Sequence, residues 1–186
     1  IRTPLNGIIG MTELAMATEM DGNQRKILET LHAESDALLG IINDILDFSK
    51  IEAEMLELEE TPFDLSEMVD YLVNSFAHRA TQKGLAIRAS MAPEVPTGVS
   101  GDPGRLRQIL TNLVGNALKF TEKGEITIDI SVAEDLGEQV KLRFSVTDTG
   151  IGIPEDKRDA IFESFTQADS STTRKYGGTG LGITIS

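Results

Sequence analysis

The stretch NLVGNALKF, residues 112–120, decides the fold of this chain. Its apolar residues extend a three-and-four spacing that begins at Leu106, so the sequence predicts an α-helix with one buried side. Four further residues can share another side of this helix and its end, namely Asn112, Asn116, Lys119 and Phe120. An amide oxygen is a hard neutral ligand that suits Mg²⁺, and a lysine one turn later suits the phosphates that the ion bridges. Taken alone, the stretch favours a simpler interpretation, a helix with solvated amide side chains.

A second polar segment, DTGIGIP at residues 148–154, directly follows an apolar strand predicted at Val140 to Thr147. A carboxylate at Asp148 can accept a hydrogen bond from an exocyclic amine, while Gly150 and Gly152 allow the backbone to approach a flat ring. Aspartate and glycine are also favoured in a tight turn between a strand and a helix, so a purely structural turn is the alternative.

The third segment is RKYGGTGLG, residues 174–182, in which two cations precede a run of glycines. Backbone N–H groups in such a loop can surround phosphates. No Gly-Lys-Ser/Thr follows, so the segment is not a Walker loop, and it does not follow a strand as a dinucleotide-binding turn does. A flexible linker is the alternative, because a lone loop of this kind is weak evidence.

The residues around these segments predict further helices and strands. Helical patterns run from Asp64 to Gly84 and from Asp102 to Phe120, and each begins at an aspartate that can cap it. Strands are predicted at Leu85 to Ala89 and at Ile126 to Val132. The turn DLG at residues 135–137 joins the second of these to the strand that precedes Asp148, which predicts a β-hairpin.

Connecting segments divide the chain. ELEETP at residues 57–62 is charged and ends at a proline, which predicts a hinge between a domain at 1–58 and a domain at 62–186. Residues 92–101 are rich in proline and glycine and predict a loop inside the second domain. Pro154 predicts the start of a short helix that reaches about Phe162.

Residues 1–58 predict a helical hairpin. Apolar residues follow three-and-four spacing from Ile1 to about Met16, and MDGN at residues 20–23 interrupts the pattern. A second helix is predicted from Asn23 to about Glu52, with a seam close to a heptad repeat at Leu28, Leu31, Ser35, Leu38, Ile42, Ile45 and Ser49. Because the apolar stripe is wider than one partner helix can cover, we predict that two hairpins pair into a four-helix bundle and that the protein is a homodimer.

Composition excludes several classes of protein. The 186 residues carry a formal net charge of −13, which disfavours binding to nucleic acid and to anionic lipid. No apolar run is long enough to cross a bilayer, so no membrane contact is predicted for these residues. The chain has no cysteine and no signal-peptide pattern at Ile1, and a cytoplasmic setting is therefore the default.

Together, in this order, the three segments resemble the N, G1 and G2 boxes of histidine kinases nearly letter for letter, and IFESF at residues 161–165 resembles their F box. The leading IRTPLNG, residues 1–7, resembles the segment just downstream of the phosphoacceptor histidine in that family. The resemblance covers the whole chain and is nearest to the hybrid sensor kinases. It implies an α+β fold in which a helical hairpin, forming a dimeric four-helix bundle, precedes an α/β sandwich ATP-binding domain shared with gyrase, heat-shock chaperones and mismatch-repair ATPases.

The resemblance also implies a site for ATP and Mg²⁺ and a role for each of its residues. The metal would be coordinated by Asn116 with help from Asn112. The phosphates and the adenine would be met by Lys119, Phe120, Asp148, Gly150 and Gly152. The ATP lid and the helix behind it would include Arg174, Lys175, Gly178, Thr179, Gly180, Leu181 and Gly182, with Phe162 and Phe165 anchoring the lid by packing.

The activity that the resemblance implies is that of a sensor histidine kinase in a two-component system. The γ-phosphoryl group of ATP would move to a histidine and then to an aspartate in the receiver domain of a response regulator. ATP-hydrolysing relatives place a glutamate four residues before the metal-binding asparagine, where this chain has Asn112, and an amide cannot act as a general base. Thr3 matches a position that assists dephosphorylation of the response regulator in some members.

The family pattern predicts more chain on both sides. The acceptor histidine would lie two residues upstream of Ile1, and the family normally continues after Ser186 with a helix and further strands. We therefore expect an N-terminally truncated hairpin and a C-terminally truncated ATP-binding domain. His32 and His78 fall outside the acceptor motif and are interpreted as ordinary helix residues.

The sequence leaves two alternatives open. An ATPase clamp of the chaperone type would need a catalytic acid that the sequence does not supply at Asn112, and the helical hairpin also argues against it. A dimeric signalling scaffold that binds nucleotide without transferring phosphate is the second, and a His-Glu pair immediately upstream of Ile1 would argue against it.

Overall fold

A computed structural model describes residues 1–158 of the chain. Within this part the chain forms two compact units, the first spanning Ile1–Leu56 and the second beginning at Glu57. Among the described residues, no helix combines the length and the apolar character that a membrane span requires.

The first unit is a helical hairpin. Helix α1 spans Arg2–Met16 and helix α2 spans Gly22–Glu52. The turn between them ends in a capping box, in which the Asp21 carboxylate accepts from the backbone N–H groups of Asn23 and Gln24 while the Gln24 side chain accepts from the Asp21 N–H. Two donors at the start of α2 are thereby satisfied, which fixes where this long helix begins.

The predicted helices are present, but the apolar stripe of α1 is only partly buried within one chain. Leu5 is 6% exposed, whereas Ile8 and Met11 on the same predicted stripe are 46% and 72% exposed. In α2, the seam residues Leu31 and Leu38 are also exposed, at 45% and 49%. The hairpin therefore leaves much of its apolar surface uncovered by its own two helices.

Within residues 57–158, the second unit forms two α-helices and two sheets. Helix α3 spans Leu65–Gln82 and helix α4 spans Pro103–Phe120. The strands, in chain order, are β1 at Thr61–Asp64, β2 at Leu85–Met91, β3 at Gly98–Gly101, β4 at Gly124–Asp135 and β5 at Val140–Asp148, and a 3₁₀ turn follows at Glu155–Lys157. Strands β1 and β3 form an antiparallel pair, while β2, β4 and β5 form a three-stranded sheet.

The order of strands in the larger sheet is β2-β4-β5, with β2 parallel to β4 and β4 antiparallel to β5. Helix α4 lies in the connection between the parallel pair. Strand β4 buries alternate residues, Ile126, Ile128 and Ile130. Ile126 and Ile128 pack with α3 and α4 in one apolar cluster, and Ile130 packs in a second cluster with residues of α3. This packing fixes the direction of α4 relative to the end of β5, and that relation positions the candidate site.

Two strands, β1 and β3, are absent from the sequence prediction, and the other three are longer than predicted. The sequence predicts a hinge for part of residues 61–64 and a loop for residues 98–101, yet these segments pair as β1 and β3. Pro62 lacks a backbone N–H, which argues against a central strand, but it is tolerated here because β3 is the one strand within residues 1–158 that pairs with β1. Strands β2, β4 and β5 are longer than predicted, and an irregularity between Val132 and Glu134 interrupts the β4–β5 register.

Candidate nucleotide-binding site

Helix α4 presents four of the predicted site residues on one side and at its C-terminal end. Asn112, Asn116, Lys119 and Phe120 are all half-buried. The opposite side of α4 is fixed in the core by side chains that are at most 5% exposed, those of Leu110, Val114, Ala117 and Leu118. The packing of the apolar residues therefore determines which side of the helix the polar residues occupy.

Lys119 has an unusual electrostatic environment for a lysine at a helix end. Its Nζ lies 5.0 Å from the centroid of the Phe120 ring, which is within the range of a cation–π contact. Burial lowers the pKa of the Lys119 ammonium, because the charged form loses hydration. A phosphate group nearby would oppose this shift, since it would stabilise the charged form.

The side chain of Asn116 makes no hydrogen bond to another residue within 1–158, so its amide oxygen is available to a ligand. Asn112 precedes it by one turn on the same side of α4. The same part of the chain contains no group of three or more His, Cys, Asp or Glu side chains that could hold a metal. The donor set here is thus one of neutral amide oxygens, which suits a hard cation that takes its other ligands from phosphate and water.

The C-terminal end of α4 is held by a lysine that directly follows another helix. Lys83, directly after α3, donates from Nζ to the carbonyl oxygen of Leu118 at 2.8 Å and to that of Lys119 at 3.5 Å. The last carbonyls of a helix have no partner within the helix, and a cation interacts favourably with this end of the helix dipole. Lys83 therefore fixes the turn of α4 that contains Lys119 and Phe120.

The turn after β5 is joined directly to this end of α4. The Asp148 Oδ1 accepts from the Gly150 N–H at 2.8 Å and from the Thr121 hydroxyl at 3.3 Å. The Ile151 N–H donates to the carbonyl oxygen of Phe120 at 3.4 Å. The two motifs predicted from separate parts of the sequence thus meet in one unit, through contacts between residues 120–121 and residues 148–151.

Glycine is required at position 150 by this close approach. A Cβ built on Gly150 would lie 2.5 Å from the Phe120 carbonyl oxygen, 2.7 Å from Asp148 Oδ1 and 2.9 Å from Thr121 Oγ1. Contacts to a backbone oxygen at this distance cannot be relieved by moving a side chain. Gly152 is needed for a different reason, because its φ of +67° lies in the left-handed region.

Thr149 ties the same turn to the start of β4. Its hydroxyl donates to the carbonyl oxygen of Lys123 at 3.0 Å and accepts from the Glu125 N–H at 3.1 Å. A Cβ at Gly124, whose φ is +108°, would collide with this hydroxyl. The turn is therefore fixed on two sides, by the end of α4 and by the beginning of β4.

Some predicted residues do not take part in this junction. Thr3 lies in the first turn of α1 and is exposed. His32 in α2 contacts Asp36 at 3.0 Å and Glu13 at 3.4 Å, and His78 is exposed on α3. The residues predicted for the lid lie outside the described part of the chain, and these are Phe162, Phe165, Arg174, Lys175, Gly178, Thr179, Gly180, Leu181 and Gly182.

Two residues that organise the site, Thr121 and Lys83, are absent from the set predicted from the sequence. Thr121 directly follows Phe120, so the functional segment extends one residue beyond the NLVGNALKF stretch. No local sequence pattern predicts the role of Lys83, because the carbonyls that it caps are 35 and 36 residues away in the chain.

Two family models match this chain, one in each of its two units. A model of the His Kinase A (phospho-acceptor) domain matches residues 1–54. A model of the histidine kinase-, DNA gyrase B- and HSP90-like ATPase matches residues 101–186.

Individual relatives match over the whole chain. The signal transduction histidine-protein kinase BarA of Escherichia coli K12 is 48% identical over 185 residues, covering 100% of this chain and 20% of BarA. Hybrid signal transduction histidine kinase A of Dictyostelium discoideum is 44% identical over 191 residues, covering 100% of this chain and 9% of that protein. The chain thus spans about a fifth or less of the length of these curated relatives.

Among solved structures, the crystal structure of full-length ShkA in complex with AMPPNP is similar over 99% of this chain and 37% of ShkA, with a TM-score of 0.76 and 40% identity. A structure of the histidine kinase AdeS of Acinetobacter baumannii has a TM-score of 0.64, with 98% of this chain and 79% of the solved AdeS chain covered. At 23% identity, the second comparison shows likeness of fold alone.

Proposed function

This chain belongs to the histidine kinase family, and we propose that it forms the dimerisation and ATP-binding core of a hybrid sensor kinase. In this proposal the second unit binds Mg-ATP, the γ-phosphoryl group moves to a histidine just upstream of Ile1, and an aspartate of a response regulator then receives it. The observation on which the proposal rests is the junction between Phe120–Thr121 and the turn at 148–151, which joins the two motifs expected to bind nucleotide.

Recognition of the base is assigned to Asp148. Its Oδ1 already accepts two hydrogen bonds within the turn, and Oδ2 has no hydrogen-bonding partner among residues 1–158. A carboxylate oxygen only accepts, so Oδ2 would favour the exocyclic amine of adenine over the carbonyl that guanine has at the same position. Gly150 and Gly152 would let the base approach the backbone, with Phe120 beside it.

Phosphate and metal binding are assigned to the polar side of α4. Lys119 would meet the phosphates, and Asn116, with Asn112 one turn earlier, would hold Mg²⁺ through amide oxygens. When bound, the ion would neutralise charge that develops on the β- and γ-phosphates during transfer. The residues fit such an ion, because Asn116 has an available oxygen and the net charge of −13 makes a local cation necessary for phosphate binding.

The same side of α4 favours transfer to a protein group over hydrolysis. A hydrolytic site needs a group that takes a proton from water, and the candidate position holds Asn112, whose amide has no basic nitrogen or carboxylate oxygen. A bound nucleotide would therefore be protected from rapid attack by water until the acceptor histidine arrives. The lid, assigned by resemblance to residues 174–182, would complete the phosphate site.

Dimerisation is assigned to the hairpin, and two hairpins would form a four-helix bundle around their exposed apolar side chains. The response regulator would bind the hairpin near Ile1 to Thr12, with Thr3 assisting dephosphorylation. Reversing charge there by Arg2→Glu tests this contact, and an unchanged affinity for the receiver domain would exclude it. We place these steps on the cytoplasmic side, where ATP is supplied.

Calorimetry of ATP binding, with and without Mg²⁺, tests the nucleotide site. Asp148→Asn should weaken binding by roughly tenfold or more, because it places an N–H₂ group where an acceptor is needed. Asn116→Asp should alter the dependence on Mg²⁺. Asp129→Asn is the matched control, since Asp129 is exposed on β4 and bonded to Ser90 at 2.6 Å. A folded chain that does not bind ATP would overturn the proposal.

Transfer itself is tested with the chain extended by its natural upstream residues. Incubation with γ-labelled ATP should label the extended chain with acid-labile, base-stable phosphate, as expected of phosphohistidine. Replacing the upstream histidine should abolish the label while ATP binding is retained. Binding without any label in the extended chain would favour the signalling scaffold instead.

A further inference from the structure

The hydroxyl of Thr121 is buried at the point where α4 ends. Thr121 is 0% exposed, and its backbone N–H donates to the Ala117 carbonyl oxygen at 3.0 Å. Its hydroxyl donates to Asp148 Oδ1 at 3.3 Å, across 27 residues of sequence. A buried hydroxyl without a partner is costly, so this contact with the carboxylate accounts for a polar side chain inside the unit.

The two oxygens of Asp148 are used differently. Oδ1 accepts from the Gly150 N–H and from the Thr121 hydroxyl, while Oδ2 accepts from none of the residues 1–158. Two donors on one oxygen hold the carboxylate in one rotation about its χ2 angle, which is otherwise a broad torsion. One oxygen of the carboxylate therefore anchors the side chain, and the other remains available to a ligand.

We propose that Thr121 is a positioning residue for recognition of the adenine amine, acting through Asp148. The inference rests on the proposed function, because it deepens the assignment of Asp148 as the group that binds the base. Thr121 does not touch the nucleotide in this scheme. It restricts the Asp148 carboxylate to the rotation in which Oδ2 faces the base, so the entropy of ordering that side chain is lost on folding and not on binding.

The length of the hydrogen bond between the Thr121 hydroxyl and Asp148 Oδ1 indicates how much its removal should weaken ATP binding. At 3.3 Å it is longer than the roughly 2.7 Å that is usual between a hydroxyl and an oxygen acceptor. Hydrogen bonds at binding sites often shorten when the ligand is present. We therefore expect removal of the hydroxyl to weaken ATP binding by roughly 3- to 10-fold, less than the effect of Asp148→Asn.

The experiment compares ATP with purine riboside 5′-triphosphate, which has the same phosphates and ring but no exocyclic amine. For the full 186-residue chain, Thr121→Val should weaken ATP binding and leave the analogue's affinity within about twofold. Thr121→Ser keeps the hydroxyl and should bind both ligands like the unaltered chain. Thr81→Val removes a threonine hydroxyl that donates only within α3, to Ala77, and serves as the control for the substitution itself.

The ratio of the two affinities separates positioning from stability. Partial unfolding lowers the apparent affinity for both ligands on the same sample equally, so it cancels in the ratio. If Thr121→Val does not fold, Thr121→Ala is measured in the same way. In the Asp148→Asn background, Thr121→Val should have no further effect on ATP, because the group through which it acts is already altered.

The possible outcomes distinguish this inference from the proposed function. Failure of the unaltered folded chain to bind ATP would overturn both. Affinity that falls equally for ATP and the analogue, or does not fall at all in Thr121→Val, would overturn the role of Thr121 alone. A selective loss for ATP that disappears in Asp148→Asn would establish it.

Discussion

The two units of this chain differ in how far they bury their apolar side chains. In the second unit, side chains such as Leu110, Val114 and Ile128 are completely buried in a core formed by two helices and a sheet. In the hairpin, Leu5 is the only large apolar side chain of the described residues that is buried, and two of its other buried residues are the polar Thr12 and Ser35. The second unit thus has its own core, whereas the hairpin presents an apolar surface that a further partner would have to cover.

This difference indicates how stability and function are divided. A unit with its own core can hold the proposed nucleotide site in fixed geometry, as the contact between Thr121 and Asp148 requires. If two hairpins associate as proposed, that association stabilises the hairpin and makes its stability depend on concentration. Mutations should therefore act on the two units through different observables.

The largest effect is expected inside the core of the second unit. Ile128→Ala removes a fully buried side chain from β4 and should destabilise this unit by about 3–4 kcal/mol, the sum of lost burial and a residual cavity. Hydrogen exchange followed by mass spectrometry is the appropriate measurement, because it reports each unit separately and the chain has no tryptophan to monitor.

Ile151→Ala is the matched control for this change, since Ile151 is 74% exposed. It should alter protection in the second unit by less than about 0.5 kcal/mol. If Ile128→Ala reduced protection in α1 and α2 as much as in β4, the division into independently stabilised units would be wrong.

The next largest effect is expected in association of the hairpin. Leu38→Glu places a carboxylate on the exposed apolar stripe, where Leu38 is 49% exposed in one chain. In a two-fold symmetric dimer the charge enters the interface twice, so the dissociation constant should rise by about 100-fold or more. Analytical ultracentrifugation measures this change directly.

Ala33→Glu provides the control, because Ala33 is exposed and falls on the side of α2 opposite the heptad seam. It should leave the dissociation constant within about twofold of the original value. ATP affinity per chain should be unchanged in both variants. An unaltered sedimentation profile for Leu38→Glu would contradict the proposed four-helix bundle.

Prediction from the sequence is accurate where a local pattern of residues has a single structural explanation. The two aspartates predicted as caps, Asp64 and Asp102, do cap α3 and α4, and alternation in β4 follows its buried isoleucines. The family and the α+β fold are predicted by motifs in which several such signals occur in order. The hairpin helices also match, because their apolar spacing is long and regular.

The features that escape prediction depend on contacts between distant residues. Strands β1 and β3 are four residues each and pair across a gap of more than thirty residues, so neither has a local period to detect. The same holds for Lys83 at the end of α4 and for Thr121 against Asp148. Such residues become visible only when the packing of α3, α4 and the sheet is known.

The smallest effect is expected from substitution of Asp102, which links the first residues of the second unit to α4. Its carboxylate caps α4 by accepting from the Arg105 N–H at 2.9 Å, and it also accepts from the Glu59 N–H at 3.1 Å. These two hydrogen bonds, that from Arg105 first, lower the pKa of Asp102 below its ordinary value of 3.8. Asp102 thus ties the segment that leads into the second unit to the helix that contains Asn116.

A lowered pKa fixes the sign of the pH dependence. Stabilisation by the Asp102 carboxylate is fully present above pH 3.8, and it is lost as the pH falls below 3.8 through the lower pKa of the folded state. Asp102→Asn should therefore reduce protection of β1 and the start of α4 at neutral pH, and the difference from the unaltered chain should shrink in acid. Asp102→Ser keeps a capping oxygen without a titrating group and should recover part of the loss at neutral pH.

A difference that stays constant from about pH 7 to about pH 3 would mean that the cap acts only as a hydrogen-bond acceptor and that its charge contributes nothing. In either case the effect should be confined to the second unit, because both hydrogen-bonding partners of Asp102 belong to it.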